Sequence, residues 1–218
     1  MQKTIIIAEA GVNHNGDPDC ARQLIDRAAE AGADIVKFQT FKAERLASVY
    51  TEKATYQQRL TNQAESQLEM LRRLELSADM HRMLIEYCSK AGIGFLSTPF
   101  DEESLELLID FGIDMIKIPS GEITNYPFLE TVARSGLPVL LSTGMATLAE
   151  VGEALEWLDV SGNPSVTLLH CVTEYPAPFA EINLRAMHTM RSAFDLPVGY
   201  SDHRSEERRV GKECRSRW

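Results

Sequence analysis

Residues 92–122 read GIGFLSTPFDEESLELLIDFGIDMIKIPSGE, and this stretch decides the fold class. Residues 93–98 form a short run that Pro99 closes. Residues 102–111 carry Leu105, Leu108 and Ile109 at helical spacing and stop at Gly112, and 114–119 is a second apolar run ended by another proline. Strand, helix with a glycine stop, then strand is a crossover unit. Two parallel neighbours cannot be joined by a tight turn, so the helix between them carries the chain back.

The same grammar extends in both directions. Strand candidates fall at 4–8, 34–40, 93–98, 114–119, 138–143, 166–171 and 197–201, and amphipathic stretches lie between them at 19–31, 78–91, 102–111, 126–135 and 148–158. Gly32, Gly92, Gly112 and Gly136 follow four of those helices. The strands are apolar nearly throughout, the pattern of a sheet covered on both faces. An open doubly wound sheet and a (β/α)8 barrel both satisfy this. One segment departs from it: 41–67 is long, polar and Gln-rich after the second strand, where long loops are functional or mobile.

Composition excludes several classes. With 22 Lys+Arg against 32 Asp+Glu the 218-residue chain carries a formal charge of −10, which disfavours nucleic acid or an anionic membrane as a partner. Hydrophobic residues at 44% and charged residues at 25% are ordinary globular usage and predict a packed core. No apolar run approaches a membrane span, and the opening residues do not read as a signal peptide. Cys20, Cys88, Cys171 and Cys214 form no CxxC pair, which fits reduced thiols and a cytoplasmic location.

Polar residues stand where every strand ends: Glu9; Lys37, Gln39 and Thr40; Ser97 and Thr98; Lys117, Ser120 and Glu122; Ser142 and Thr143; His170; Ser201, Asp202 and His203. The C-terminal ends of parallel strands share one face, where such folds build their sites. A buried Lys or Glu costs several kcal/mol unless paired or used, so packing alone does not account for the pattern. Two lysines with nearby hydroxyls suit a small, multiply charged anion such as a phosphate or carboxylate, although each lysine could equally balance an interior glutamate. Glu9 and Glu122 are candidates for proton transfer, because a partly desolvated carboxylate titrates nearer the working pH; charge balance for Lys37 and Lys117 is the other role open to them. His203 could be a metal ligand, a general acid or a structural residue. His14 lies in an Asn- and Gly-rich turn. GxGxxG, P-loop, HExxH and GxSxG patterns are absent, which disfavours a nicotinamide cofactor or ATP.

Seven motifs in order, 7–16 (IAEAGVNHNG), 36–40 (VKFQT), 96–101 (LSTPFD), 117–122 (KIPSGE), 141–145 (LSTGM), 169–176 (LHCVTEYP) and 199–203 (GYSDH), closely resemble the sialic acid synthase family. The resemblance implies a (β/α)8 TIM barrel. It also implies condensation of phosphoenolpyruvate with an open-chain N-acylated amino sugar of the N-acetylmannosamine type, giving a nine-carbon sialic acid and phosphate with Mn²⁺ or Mg²⁺. Legionaminic or pseudaminic acid synthesis, or a remnant that only binds the anion, are the alternatives. Carried over by the resemblance, Lys37, Thr98, Lys117, Ser120 and Ser142 match positions that hold phosphoenolpyruvate, with Thr173 where some relatives have Asn. Gln39, Glu122 and Tyr175 match positions around the sugar. Glu9 matches an acidic position beside the reacting carbons, and His203 matches one of two histidine metal ligands.

The same resemblance implies departures. The domain at 1–203 reads as a barrel truncated after its seventh strand, without the second metal-binding histidine and without the C-terminal antifreeze-like domain of full-length, homodimeric relatives. Seven strands leave two unpaired edges, which predicts an unstable or inactive chain. Residues 204–218, with six Lys/Arg and three Asp/Glu, read as a non-native, vector-derived tail; a genuine basic surface tail is the alternative.

Overall fold

The computed structural model describes residues 4–51, 53, 65–162 and 164–203. The predicted tail at 204–218, and positions 52 and 54–64 of the predicted insertion, lie outside the described residues. The chain divides into two compact units, 1–117 and 118–218.

In the first unit, strands β1 (Ile7–Gly11), β2 (Ile35–Thr40) and β3 (Gly94–Pro99) form a parallel sheet in that order. Helices α1 (Pro18–Glu30) and α4 (Ala78–Ala91) cover it, burying Ala21, Leu24, Ile25, Ala28, Leu84 and Cys88 against Val36 and Phe38. Asp17 caps α1 by accepting the amides of Asp19 and Cys20, with Pro18 in the first turn, and Ser77 caps α4 through the amide of Met80. Helix α5 (Glu102–Asp110) follows β3, capped by Asp101.

Strand β1 begins later than the sequence predicted. The Ile6 amide is taken by the Asp34 carboxylate at 2.9 Å, and Ile5 and Ile6 remain 57% and 54% exposed. The ladder pairs Ile7 with Ile35 and Glu9 with Lys37, then slips between Glu9 and Gly11. Glu9 is therefore inside the strand, beside a bulge of the kind that re-aims side chains next to sites.

The segment after β2 also differs from the irregular loop expected. Its described ends are helices α2 (Ala43–Leu46) and α3 (Gln67–Leu74), the latter opened by a Ser66/Glu69 capping box. Phe41, Ala43, Ala47, Leu68, Met70, Leu71 and Leu74 make a separate apolar cluster, with Val12 after β1 and Phe100 after β3 packed on it. Glu75 fastens the start of α2, accepting from Ala43 N at 3.1 Å and Lys42 Nζ at 2.9 Å.

Strand β4 (Ile116–Ile118) heads the second sheet, ordered β4, β5 (Val139–Ser142), β6 (Val166–Cys171) and β7 (Val198–Ser201), with β5, β6 and β7 parallel. Helix α6 (Tyr126–Arg134) precedes β5, and α7 (Leu148–Ser161) runs three residues beyond the predicted 158. Helix α8 (Arg185–Phe194), before β7, had no prediction; Met190 is its one buried residue. Seven strands joined by six helical crossovers in chain order are those of the (β/α)8 barrel class, the described residues ending just after the seventh strand.

Candidate active site

The first unit gathers Glu9, Lys37, Gln39 and Thr98. Alternation along β2 buries Val36, Phe38 and Thr40 on one face and leaves Ile35, Lys37 and Gln39 on the other. That second face is only half covered, and β2 alternates where strands covered on both faces were expected, because this face carries the polar groups. Lys37 Nζ lies 2.5 Å from a Glu9 carboxylate oxygen and donates to Thr98 Oγ1 at 3.2 Å. The ladder sets Gln39 opposite Thr98. At the bulge, Gly11 has φ +52°, and a Cβ there would lie 3.0 Å from Glu9 Oε1 and 3.7 Å from Gln39 Nε2, so glycine keeps that corner open. The Lys37 side chain is 13% exposed and that of Glu9 is 49% exposed. Glu9 is thus not the desolvated carboxylate that the sequence reading allowed; of its two open roles, charge balance is the one this contact serves.

Behind this face lies a second polar cluster that sequence reasoning missed. His81, on α4, places Nδ1 2.9 Å from the Ser77 carbonyl and Nε2 2.8 Å from Thr40 Oγ1, which is itself 2.7 Å from Ser97 Oγ. All three side chains are buried. His14 is buried nearby, its Nδ1 accepting the Gly16 amide at 2.9 Å while its Nε2 has no protein partner. Burial, with His81 adding repulsion, pushes the His14 imidazole down to about 4. The His81 imidazole is likewise lowered by burial. The one signal available was the pair of hydroxyls at 40 and 97 in otherwise apolar strands.

Lys117 sits buried at the centre of β4. In the second unit, Ser120 and Glu122 belong to a single 3-10 turn after β4, where Glu122 accepts from Asn125 Nδ2 at 2.6 Å. Ser142 ends β5, buried, and the next residue, Thr143, donates both its amide (3.0 Å) and its hydroxyl (3.2 Å) to the Leu169 carbonyl. Beyond it Gly144 is a point of close approach: a Cβ there would meet Thr173 Cγ2 at 2.6 Å, Cys171 Sγ at 2.8 Å and Ser120 Oγ at 3.2 Å. The segments after β4, β5 and β6 therefore converge on one glycine, bringing Ser120 and Thr173 together. Sequence reasoning did not single out Cys171 or Gly144 as parts of that junction.

Tyr175 stacks on His203, with ring centroids 4.5 Å apart and planes 22° off parallel. A carbonyl can only accept, so His203 Nδ1 donates to Val172 O (2.8 Å), which leaves Nε2, 3.3 Å from Ser201 Oγ, with its lone pair. Metal-ligating histidines are oriented in this way by a partner on the other ring nitrogen. The residue fits one ligand of a cation site, and among the described residues no group of three His, Cys, Asp or Glu completes one. His170 lies against Tyr200, ring centroids 5.9 Å apart, with its Nε2 buried and without a protein partner.

In each unit, polar side chains thus stand at or just beyond the ends of parallel strands, the arrangement of a (β/α)-type fold. The chain belongs to the NeuB family, whose model matches residues 24–210. It is 55% identical, over 93% of its length, to an N,N'-diacetyllegionaminic acid synthase of Campylobacter jejuni, and 50% identical over 91% to the enzyme of the same name from Legionella pneumophila. It spans 61% and 57% of those two relatives. Among solved structures it superposes on an N-acetylneuraminic acid synthetase from Leptospira borgpetersenii in complex with citrate, with TM-score 0.82 and 35% identity, over 93% of this chain and 66% of that one. No helix among the described residues is long and apolar enough to cross a membrane.

Proposed function

We propose that this chain supplies the anion-holding face of a synthase that joins phosphoenolpyruvate to an open-chain N-acylated amino sugar, forming a sialic-type nine-carbon acid and releasing phosphate. The observation that carries the reading is Lys37 Nζ held between the Glu9 carboxylate and the Thr98 hydroxyl, with Gln39 opposite Thr98 on the same face. A lysine fixed by one anionic and one neutral partner keeps donor capacity for a second anion, and its ammonium has three donors. The two relatives at 55% and 50% identity favour a doubly N-acetylated acceptor of the legionaminic type over N-acetylmannosamine. The citrate carried by the Leptospira relative is an anion of the expected class.

In this reading the π electrons of phosphoenolpyruvate form a bond from carbon 3 to the acceptor aldehyde carbon, whose oxygen takes a proton. Water adds at carbon 2, and phosphate departs with the C–O bond as the keto group forms. Lys37, Thr98 and Lys117 of the first unit donate to the phosphate and carboxylate and stabilise the charge that develops there; Ser120, Ser142 and Thr173 of the second unit are the further phosphoenolpyruvate contacts that the resemblance implies. Gln39 and Tyr175 are the contacts it implies for the acceptor. Of Glu9 and Glu122, one takes the single proton that the attacking water gives up, which balances the proton gained by the aldehyde oxygen, and the other places that water. A divalent cation, to which His203 Nε2 would supply one ligand, would polarise the aldehyde when bound.

The test titrates phosphoenolpyruvate into the 218-residue chain by calorimetry, then measures phosphate release with the legionaminic-type, pseudaminic-type and N-acetylmannosamine-type acceptors and with 6-phosphorylated N-acetylmannosamine. Binding with release fastest on the doubly N-acetylated acceptor supports the reading. Binding without release from any acceptor supports the second reading, a chain that retains the anion pocket alone. A folded chain with no affinity at millimolar phosphoenolpyruvate overturns both.

A further inference from the structure

We propose that His81, Thr40 and Ser97 are positioning residues, a buried directional chain of hydrogen bonds that holds β2 and β3 in register from the face opposite the Lys37–Thr98 contact. The inference rests on the reading that Lys37 and Thr98 hold the anionic substrate.

The direction of the chain follows from its ends. The Ser77 carbonyl accepts, so His81 Nδ1 carries the proton at 2.9 Å. With the imidazole held neutral by burial, Nε2 offers a lone pair, and the Thr40 hydroxyl must donate to it across 2.8 Å. Thr40 has then spent its one proton, so Ser97 donates to Thr40 across 2.7 Å. Phe111 covers the imidazole at 5.9 Å, and Arg82 lies over the Phe111 ring at 5.2 Å. The charge of Lys42 reaches the His81 imidazole, and His81 in turn acts on the buried His14.

Position makes the chain more than a satisfied core cluster. Thr40 follows Gln39 and Ser97 precedes Thr98, and Gln39 and Thr98 are ladder partners. The hydroxyls thus bracket the pair that carries the substrate face, on the opposite side of the same two strands. Apolar side chains of equal volume would fill this layer at similar or lower cost, because net hydrogen-bond energies are small and buried polar groups are expensive to desolvate. What the hydrogen bonds add is geometry: Thr40–Ser97 joins β2 to β3, the two His81 bonds fix the Thr40 hydroxyl from α4, and the chain tolerates sliding of β2 along β3 far less than methyl contacts do.

The experiment compares the whole chain with Thr40→Val, Thr40→Ser and Ser97→Ala. We expect Thr40→Val to weaken phosphoenolpyruvate binding about tenfold by calorimetry while Thr40→Ser stays within about twofold. Nitrogen NMR of the imidazole should show His81 as the neutral Nδ1–H tautomer, with its Nε2 resonance displaced in Thr40→Val. Amide exchange of Gln39 and Thr98 should accelerate about tenfold in Thr40→Val and leave the β5–β6 amides unchanged. A lower urea midpoint with unchanged affinity, an Nε2–H tautomer, or exchange that accelerates equally in both sheets would overturn the proposal. If Thr40→Val does not fold, Ser97→Ala, which keeps the Thr40–His81 bond, is read in its place, with a threefold affinity loss expected and none as the overturning result. If the unsubstituted chain itself fails to bind, the functional reading falls, and the tautomer and local exchange alone decide whether the register clamp exists.

Discussion

The two units hold their candidate site residues by different physical means. In residues 4–117 charge holds charge: Lys37 is fixed by Glu9 and Thr98, and Lys42 by Glu75. In residues 118–203 the described candidates are placed by packing and neutral hydrogen bonds: Ser120 and Thr173 by close approach at Gly144, Tyr175 by its stack on His203, and His203 by the Val172 carbonyl. Arg134 and Glu130, both on α6, form an ion pair among the described residues of that part. An ion pair on a half-exposed face responds to salt and pH, whereas a steric junction responds to volume. The two groups of residues should therefore answer to different perturbations.

The largest expected effect is on stability in acid. His14 is neutral when folded, with its value down at about 4 against 6.5 unfolded, so the unfolded chain binds the extra proton and stability falls as pH drops through that window. One such group is worth about 3 kcal/mol between those limits. His14→Asn, whose side-chain oxygen can still accept the Gly16 amide, should flatten the acid limb of urea melts run from pH 7 to pH 4. An unchanged limb would show that the buried imidazole does not govern it.

Next, Lys37→Met should weaken phosphoenolpyruvate binding about 100-fold at low salt, and the deficit should shrink as salt rises and the unsubstituted chain weakens. Gly144→Ala should cost about 2 kcal/mol in urea melts through overpacking against Thr173 and Cys171, with a loss of phosphoenolpyruvate affinity that is independent of salt. Equal salt dependence in the two variants would erase the distinction between the units. The smallest effect is Tyr175→Ala: loss of the ring stack should cost about 1 kcal/mol or less, and should appear as disorder of the His203 imidazole in NMR before it appears in global stability.

Much of this was legible in the sequence. The strand at 166–171 and the helix at 78–91 were located to the residue, because glycine stops, Ser and Asp caps and apolar runs are local signals. Strand β1 was misplaced by three residues, because hydropathy cannot see that Asp34 captures the Ile6 amide and that the ladder starts at Ile7. Helix α8 escaped because the local punctuation was missing: Leu184 supplies no side-chain cap and Asp195, not glycine, ends it. Glu9, Lys37, Gln39 and Thr98 were readable as polar residues at strand ends, but their pairing was not. Gly144 and the imidazole of His81 gave no local sign of their roles.

The chain by itself determined the alternation of strands and helices and the chemistry available at the strand ends, since both depend on residues adjacent in sequence or one turn apart. Only the tertiary structure decided that Glu9 neutralises Lys37, that three segments close on Gly144, and that His81 reaches 41 residues back to Thr40. Those contacts depend on strand register and on which face of each strand is buried. Both are set by the packing of distant elements against one another, and a one-residue slip would reverse them.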